Sequence, residues 1–144
     1  MCLQYYKSID EDFRSKLSKT RGGIICYKVV RKDGSAPIHK YFQYQPGINK
    51  SDRTWVASQS ELRSGVNNGI HVFVNKSDAK RWMNNAQEII LPVRCYLADF
   101  VAAGRFESCL SAVFYKVIIS PRTYRRYIKN VATKTTTKKV NTST

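Results

Sequence analysis

Short apolar runs recur along the chain, and turn-forming residues separate them. We expect strands over 24–31, 38–45, 70–74, 88–98 and 112–119, with 53–58 as a further short candidate. Asp33-Gly34 and Pro46-Gly47 are typical turn pairs between such strands, and 99–105 is expected to be a turn. No run reaches the ~18 apolar residues that a membrane-crossing helix needs, so we expect no membrane partner.

The segment 8–20 is expected to be a helix. Apolar residues recur there at every fourth position and form one stripe, and Ser8 and Glu11 have the spacing of a capping box. A second helix is expected over 77–86, with Ser77 as its N-cap.

The third expected helix, 121–130, follows a strong start signal. Ser120 is a preferred N-cap residue, and Pro121 suits the first helical position, where its missing N–H is not needed. Beyond this helix, 131–144 is a basic segment rich in threonine and lysine, and we expect it to form a flexible tail.

The expected strands and helices are segregated rather than arranged in regular βαβ units, a pattern typical of α+β proteins. A chain of 144 residues suits one domain around one core. We therefore predict a single α+β domain over 1–130. Its sheet is expected to be mixed but largely antiparallel, with about five strands and three or four short helices.

The formal charge of +15 is unevenly distributed along the chain. Glu107 is the last carboxylate, and the 37 residues that follow it carry eight lysines and arginines. The first 107 residues carry 17 basic and 10 acidic side chains, a net of +7. The sequence therefore describes a mildly basic body followed by an acid-free, basic C-terminal quarter.

The expected helix 121–130 has a basic side and an apolar side. Its basic residues recur at i, i+3, i+4 and i+7 and share one broad face: Arg122, Arg125, Arg126 and Lys129. Its aromatic and apolar residues lie on the other side, where we expect the core: Tyr124, Tyr127 and Ile128. Because like charges at this spacing repel, the cluster favours an anion that neutralises it. Three tail residues extend the same field: Lys134, Lys138 and Lys139.

These charges lead to our first functional hypothesis, a non-enzymatic binding or assembly protein. Its partner would be polyanionic, either a nucleic-acid backbone or an acidic protein surface. A component of a large assembly, such as a virion or a ribonucleoprotein particle, is a variant of this hypothesis. A purely solvated basic face remains the alternative. The N-terminus lacks the pattern of a signal peptide, so we expect an intracellular or virion location.

The competing hypothesis is a small enzyme that transfers a nucleotide group or hydrolyses its substrate, with a site in the loop 65–71. His71 is the candidate acid or base there. The alternative is a structural histidine whose ring bonds to the loop backbone. We therefore assign no catalytic residue.

The four cysteines, Cys2, Cys26, Cys95 and Cys109, are dispersed, and none forms a CxxC pair. With only two histidines besides, no metal site and no cofactor are expected. Cys26 and Cys95 lie in apolar strand-like runs, so we expect them to be buried, reduced thiols.

Aromatic residues alternate with basic ones in two places. Tyr41, Phe42 and Tyr44 follow Lys40, and two tyrosines lie among the arginines of the third expected helix. Such rings stack on unpaired bases in some nucleic-acid-binding proteins. The alternative is that they pack in the core.

Four segments occur in a recognisable order: CYKVV at 26–30, YFQYQPG at 41–47, NNGIHVF at 67–73 and AVFYKVII at 112–119. Together they resemble a family of small uncharacterised domains found in phages, bacteria and large DNA viruses, marked by a Gly-Ile/Phe-His strand motif. The most specific elements are FQY at 42–44 and GIH at 69–71. The resemblance implies a viral or phage-like origin, and the family has no established activity. Family members often carry Ala-Cys after the histidine, where this chain has Val72-Phe73.

Overall fold

The computed structural model describes residues 3–37, 42–51, 69–83 and 86–128. Within these ranges it contains eight strands: β1 (Gln4–Tyr5), β2 (Ile24–Arg31), β3 (Gly47–Lys50), β4 (Ile70–Phe73), β5 (Glu88–Cys95), β6 (Phe100–Phe106), β7 (Cys109–Phe114) and β8 (Lys116–Ile119). Three α-helices accompany them: α1 (Lys7–Ser18), α2 (Lys76–Trp82) and α3 (Pro121–Tyr127). A 3₁₀ turn, Leu97–Asp99, joins β5 to β6.

All eight strands belong to one sheet in the order β1-β6-β7-β4-β2-β5-β8-β3. Every pairing between these strands is antiparallel. The predicted α+β class and the largely antiparallel sheet are therefore confirmed. The predicted number of about five strands is wrong, because the described residues alone form eight.

Three features account for the missing strands. The segment 99–105, expected to be a turn, is mostly β6, which pairs with both β1 and β7. The expected strand 112–119 is interrupted at Tyr115 and supplies β7 and β8 separately. Of the remaining strands, β1 has only two residues, and β3 has four of which only Ile48 is apolar, so neither carries a periodic apolar signal.

The longest helix, α1, begins one residue earlier than expected. Its N-cap is Tyr6, and no side chain caps it, so the capping box predicted at Ser8 and Glu11 does not form. The helix is held instead by Asp10, whose Oδ1 accepts a 2.9 Å hydrogen bond from the Ala103 N–H of β6. This buried carboxylate fixes α1 against the sheet.

The expected helix 77–86 is also shifted. It forms as α2, its N-cap is Asn75 rather than Ser77, and no side chain caps it. The expected strand 88–98 ends as β5 at Cys95, where the chain enters the 3₁₀ turn.

The two faces of the sheet carry separate cores. Successive residues of a strand point to opposite faces, so Val29 and Val30 of β2 distinguish them. Val30 belongs to the larger core, on what we call the inner face, which α1 and α3 cover. Val29 belongs to a second core on the outer face, together with Phe73 and Ala79 of α2. Helices α2 and α3 therefore lie on opposite sides of the sheet.

Several predictions fall outside the described residues. These are the strand 53–58, residues 38–41 of the strand 38–45, and the tail 131–144. Within 42–51, Gln43 forms an isolated antiparallel bridge with Ser35. In the part of the chain that is described, no helix is long and apolar enough to cross a membrane.

Candidate polyanion-binding surface

Helix α3 starts where the sequence predicts. The Ser120 hydroxyl accepts a 3.1 Å hydrogen bond from the Thr123 N–H, and it also bonds the Thr123 hydroxyl at 2.8 Å. Pro121 occupies the first turn. The cap and the proline together define the start of the helix, and its regular part ends at Tyr127 rather than at the expected residue 130.

The apolar side of α3 packs on the inner core. Ile128, immediately after the helix, is fully buried, and Tyr124 and Tyr127 are partly buried against the same core. The Tyr124 hydroxyl donates a 2.9 Å hydrogen bond to the main-chain carbonyl of Tyr44, a residue that is 3% exposed. The prediction that these residues face the core is confirmed.

The opposite side of α3 carries Arg122, Arg125 and Arg126, and all three are exposed. We call these three side chains the arginine face. None of the ion pairs between described residues includes an α3 side chain. The other predicted cations lie outside the described residues: Lys129, Lys134, Lys138 and Lys139.

The position of Arg122 is electrostatically unfavourable. It lies in the first turn of α3, which contains no acidic residue, so its charge faces the positive end of the helix dipole. Arg125 and Arg126 lie three and four residues further on, at like-charge spacing. They occupy the last turn, where the dipole stabilises cations. Their position has a structural explanation, whereas that of Arg122 has none in the free protein.

Arg126 has one further contact. Its guanidinium carbon lies 5.9 Å from the centre of the Tyr127 ring. At this distance a cation is still attracted to an aromatic face, although the interaction is weak at an exposed site.

His71, the candidate for the alternative enzyme site, lies in β4 opposite Val113 and is 4% exposed. It alternates with Ile70 and Val72, which belong to the inner core, so its side chain points to the outer face. Residues 65–68 of the proposed loop lie outside the described residues. The histidine is thus buried in the sheet rather than exposed at the end of a strand.

Sequence reasoning missed Lys28, a lysine on the inner face of β2. Its Nζ donates a 2.7 Å hydrogen bond to the main-chain carbonyl of His71. Burial lowers the pKa of Lys28 from 10.5 to about 8. The sequence could have indicated that Lys28 is buried. Every second residue of a strand points to the same face, so Lys28 lies on the face of Cys26 and Val30, two inner-core residues.

The cysteines in the described residues are free and buried. Cys26 and Cys95 are fully buried, as predicted. Hydrogen bonding to Cys26, together with burial, raises the pKa of the Cys95 thiol, so it is kept protonated. The described residues contain no group of three or more histidine, cysteine or acidic side chains placed to hold a metal ion.

Comparisons of this chain with protein-family models, curated proteins and solved structures find no significant match. The resemblance to the small phage and viral domains therefore stays a prediction. Its Gly-Ile-His element lies at the start of β4, where Gly69 has a φ of +89°.

Proposed function

We propose that this protein is a non-enzymatic binding or assembly protein that contacts a polyanion through the arginine face. The observation that carries the proposal is the position of Arg122. It is an exposed cation in the first turn of α3, where the helix dipole disfavours positive charge, and it has no carboxylate partner among the described residues. Residues Lys129, Lys134, Lys138 and Lys139 would extend the same positive field.

The argument rests on an energetic cost that a ligand removes. Arg122 opposes the helix dipole and is repelled by Arg125 and Arg126, and each such effect costs a few tenths of a kcal/mol to about 1 kcal/mol. An anion held by the three guanidinium groups would reverse the sign of these interactions. A face that served solubility alone would gain nothing from placing a cation in the first turn.

A phosphate backbone supplies such an anion as a regular array, and guanidinium groups bind phosphate in a bidentate geometry. An acidic protein surface is the other partner of suitable charge. In a virion or a ribonucleoprotein particle, the tail 131–144 would become ordered on docking. Protease sensitivity of the tail in the free protein, and protection in such a particle, are the results expected for that setting.

The test compares two matched double variants of the full chain. Arg122→Gln/Arg126→Gln removes two charges one helical turn apart on α3. Lys76→Gln/Lys80→Gln removes two exposed charges at the same spacing on α2, on the opposite side of the sheet. Binding to a short labelled duplex is measured by fluorescence anisotropy over a range of salt concentrations.

We expect the α3 variant to bind more weakly and to lower the log–log salt slope by about 1.8, at ~0.9 for each phosphate that the variant no longer neutralises. The α2 variant should retain the slope of the unmodified protein. Absence of binding at low salt, or equal reductions of affinity in both variants, would contradict the proposal. Retained binding to polyglutamate, with no binding to nucleic acid, would assign the face to an acidic protein instead.

A further inference from the structure

The aromatic residues closest to the arginine face are turned away from it. Tyr124 points inward and its hydroxyl is bonded to the Tyr44 carbonyl at 2.9 Å. The Tyr44 ring is buried, and it packs against the Phe42 ring with 4.8 Å between their centres. The rings of Phe42, Tyr44 and Tyr124, which the sequence offers as stacking platforms, are therefore part of the core. Tyr41 lies outside the described residues.

Tyr127 is the remaining aromatic residue of α3, and it is engaged as well. It is partly buried against the inner core, and Arg126 lies over its ring. Among the described residues of α3, the exposed side chains are Pro121 and the three arginines, and both tyrosines are partly buried.

From this arrangement we propose that the arginine face binds paired nucleic acid through its phosphates, without reading sequence and in preference to unpaired strands. This inference rests on the proposed function and specifies its ligand. Proteins that bind unpaired strands gain about 1–3 kcal/mol from each base stacked on an aromatic side chain. A face without such rings forgoes that gain and depends on charge density alone.

Charge density favours the duplex. Arg122 and Arg126 are four residues apart, which corresponds to a rise of about 6 Å along α3. A duplex carries one charge for about every 1.7 Å of its axis when both strands are counted, against one for about every 3.4 Å along one strand. Its charge density over this length is therefore about twice as high, and the three arginines should be attracted to it more strongly.

Duplex DNA and duplex RNA present the same chemical group, the backbone phosphate, although their groove shapes differ. Contacts to phosphate carry no sequence information. The arginine face should therefore accept duplexes of different sequence with similar affinity.

The experiment measures the affinity of the full chain for four probes of equal length at one salt concentration. These are a mixed-sequence DNA duplex, its RNA counterpart, a scrambled DNA duplex and one isolated DNA strand without self-complementarity. We expect the duplexes to bind at least about tenfold more tightly than the strand, and the scrambled duplex to bind within about twofold of the original. The DNA and RNA arms identify which duplex is the better ligand.

Two variants connect the preference to the surface. Arg122→Gln/Arg126→Gln should lower the ratio of duplex to single-strand affinity, whereas Tyr127→Leu should leave single-strand affinity unchanged. Equal or tighter binding of the single strand, or an arginine variant that weakens binding to every probe by the same factor, would overturn the inference. These results differ from failure of the proposed function, in which the arginine variant changes binding to no probe.

Discussion

The Tyr124 hydroxyl donates a 2.9 Å hydrogen bond to the main-chain carbonyl of Tyr44, a residue 80 positions earlier in the chain. The Tyr44 N–H in turn donates to the Gly34 carbonyl at 2.9 Å. These two bonds connect α3, the segment before β3 and the turn after β2. The orientation of the arginine face depends on this connection, since it fixes which side of α3 faces outward.

Replacing Tyr124 by phenylalanine should lower the free energy of unfolding by about 1 kcal/mol. The variant keeps the packed ring and removes the shorter of the two hydrogen bonds to the Tyr44 carbonyl, which then keeps only the 3.4 Å bond from the Gln43 Nε2. Urea denaturation followed by circular dichroism measures the decrease. Tyr127→Phe is the matched control, because the Tyr127 hydroxyl forms no hydrogen bond with a described residue, and its stability should change by less than about 0.5 kcal/mol. Equal effects in the two variants would show that the Tyr124 bond does not hold the helix.

Gly34, whose carbonyl accepts the hydrogen bond from the Tyr44 N–H, has a φ of +88°. A Cβ atom there would come within 2.5 Å of the Gln43 Nε2 and 3.0 Å of the Tyr124 hydroxyl. We expect Gly34→Ala to lower stability by about 2 kcal/mol, since backbone strain is combined with displacement of the Gln43 amide and the Tyr124 hydroxyl from their hydrogen bonds. Gly47 has a similar φ of +92° but open space around it, so Gly47→Ala should lower stability by only about 1 kcal/mol. A decrease at Gly47 equal to that at Gly34 would rule out the steric effect.

The start of α3 was predictable because its signals are local. Ser120 and Pro121 act within one turn, and their effect does not depend on distant contacts. The alternation of basic and apolar positions likewise identified which side of α3 meets the core. The aromatic residues needed tertiary information, because stacking platforms and core rings have the same spacing in the sequence.

The hairpin between β6 and β7 was missed because its turn residues are unusual. Glu107 and Ser108 both have positive φ, 46° and 67°. Two such residues make the type of turn that favours Asn-Gly, and Glu-Ser is not a recognisable signal for it. Without a recognisable signal for this hairpin, the sequence predicts a turn over 99–105 in place of β6.

Ser108→Gly should therefore stabilise the protein by about 1 kcal/mol. Glycine adopts positive φ without the steric penalty that serine has at this position. The Ser108 main-chain carbonyl, which accepts a hydrogen bond from Arg105, is retained in the variant. Thermal unfolding checks the gain, and Ser108→Ala, which keeps the Cβ atom, should show none. A gain in both variants would mean that the strain is not located at this φ.

Arg122→Glu should stabilise the free protein by about 1 kcal/mol at low salt. The new carboxylate would face the positive end of the α3 dipole, which stabilises an anion. It would also attract Arg125 and Arg126, whereas Arg122 repels them. The gain should shrink as salt is added. Arg126→Glu makes the same charge change in the last turn, where the unfavourable dipole interaction offsets the attraction to Arg122, so its gain should be clearly smaller. A lower stability in Arg122→Glu would show that Arg122 is not unfavourable where it lies, and would remove the main support for the anion-binding surface.

Lys28 should make stability rise with pH in the alkaline range. Burial lowers its pKa in the folded protein to about 8, whereas the unfolded chain has the ordinary value of 10.5. Between these values the unfolded state binds more protons, so the free energy of unfolding increases as pH rises from about 8 to 10.5, by up to about 3 kcal/mol. Below pH 8 both states are protonated and this contribution is constant.

Lys28→Met tests this because it keeps a similar side-chain length without the titrating amine. The unfolding free energy of the unmodified protein should rise relative to that of this variant across the same pH range, as measured by urea denaturation. Lys50→Met removes an exposed lysine of β3 and should follow the pH dependence of the unmodified protein. Parallel curves for the unmodified protein and Lys28→Met would mean that the ammonium group is well solvated and that its bond to the His71 carbonyl lies in contact with water.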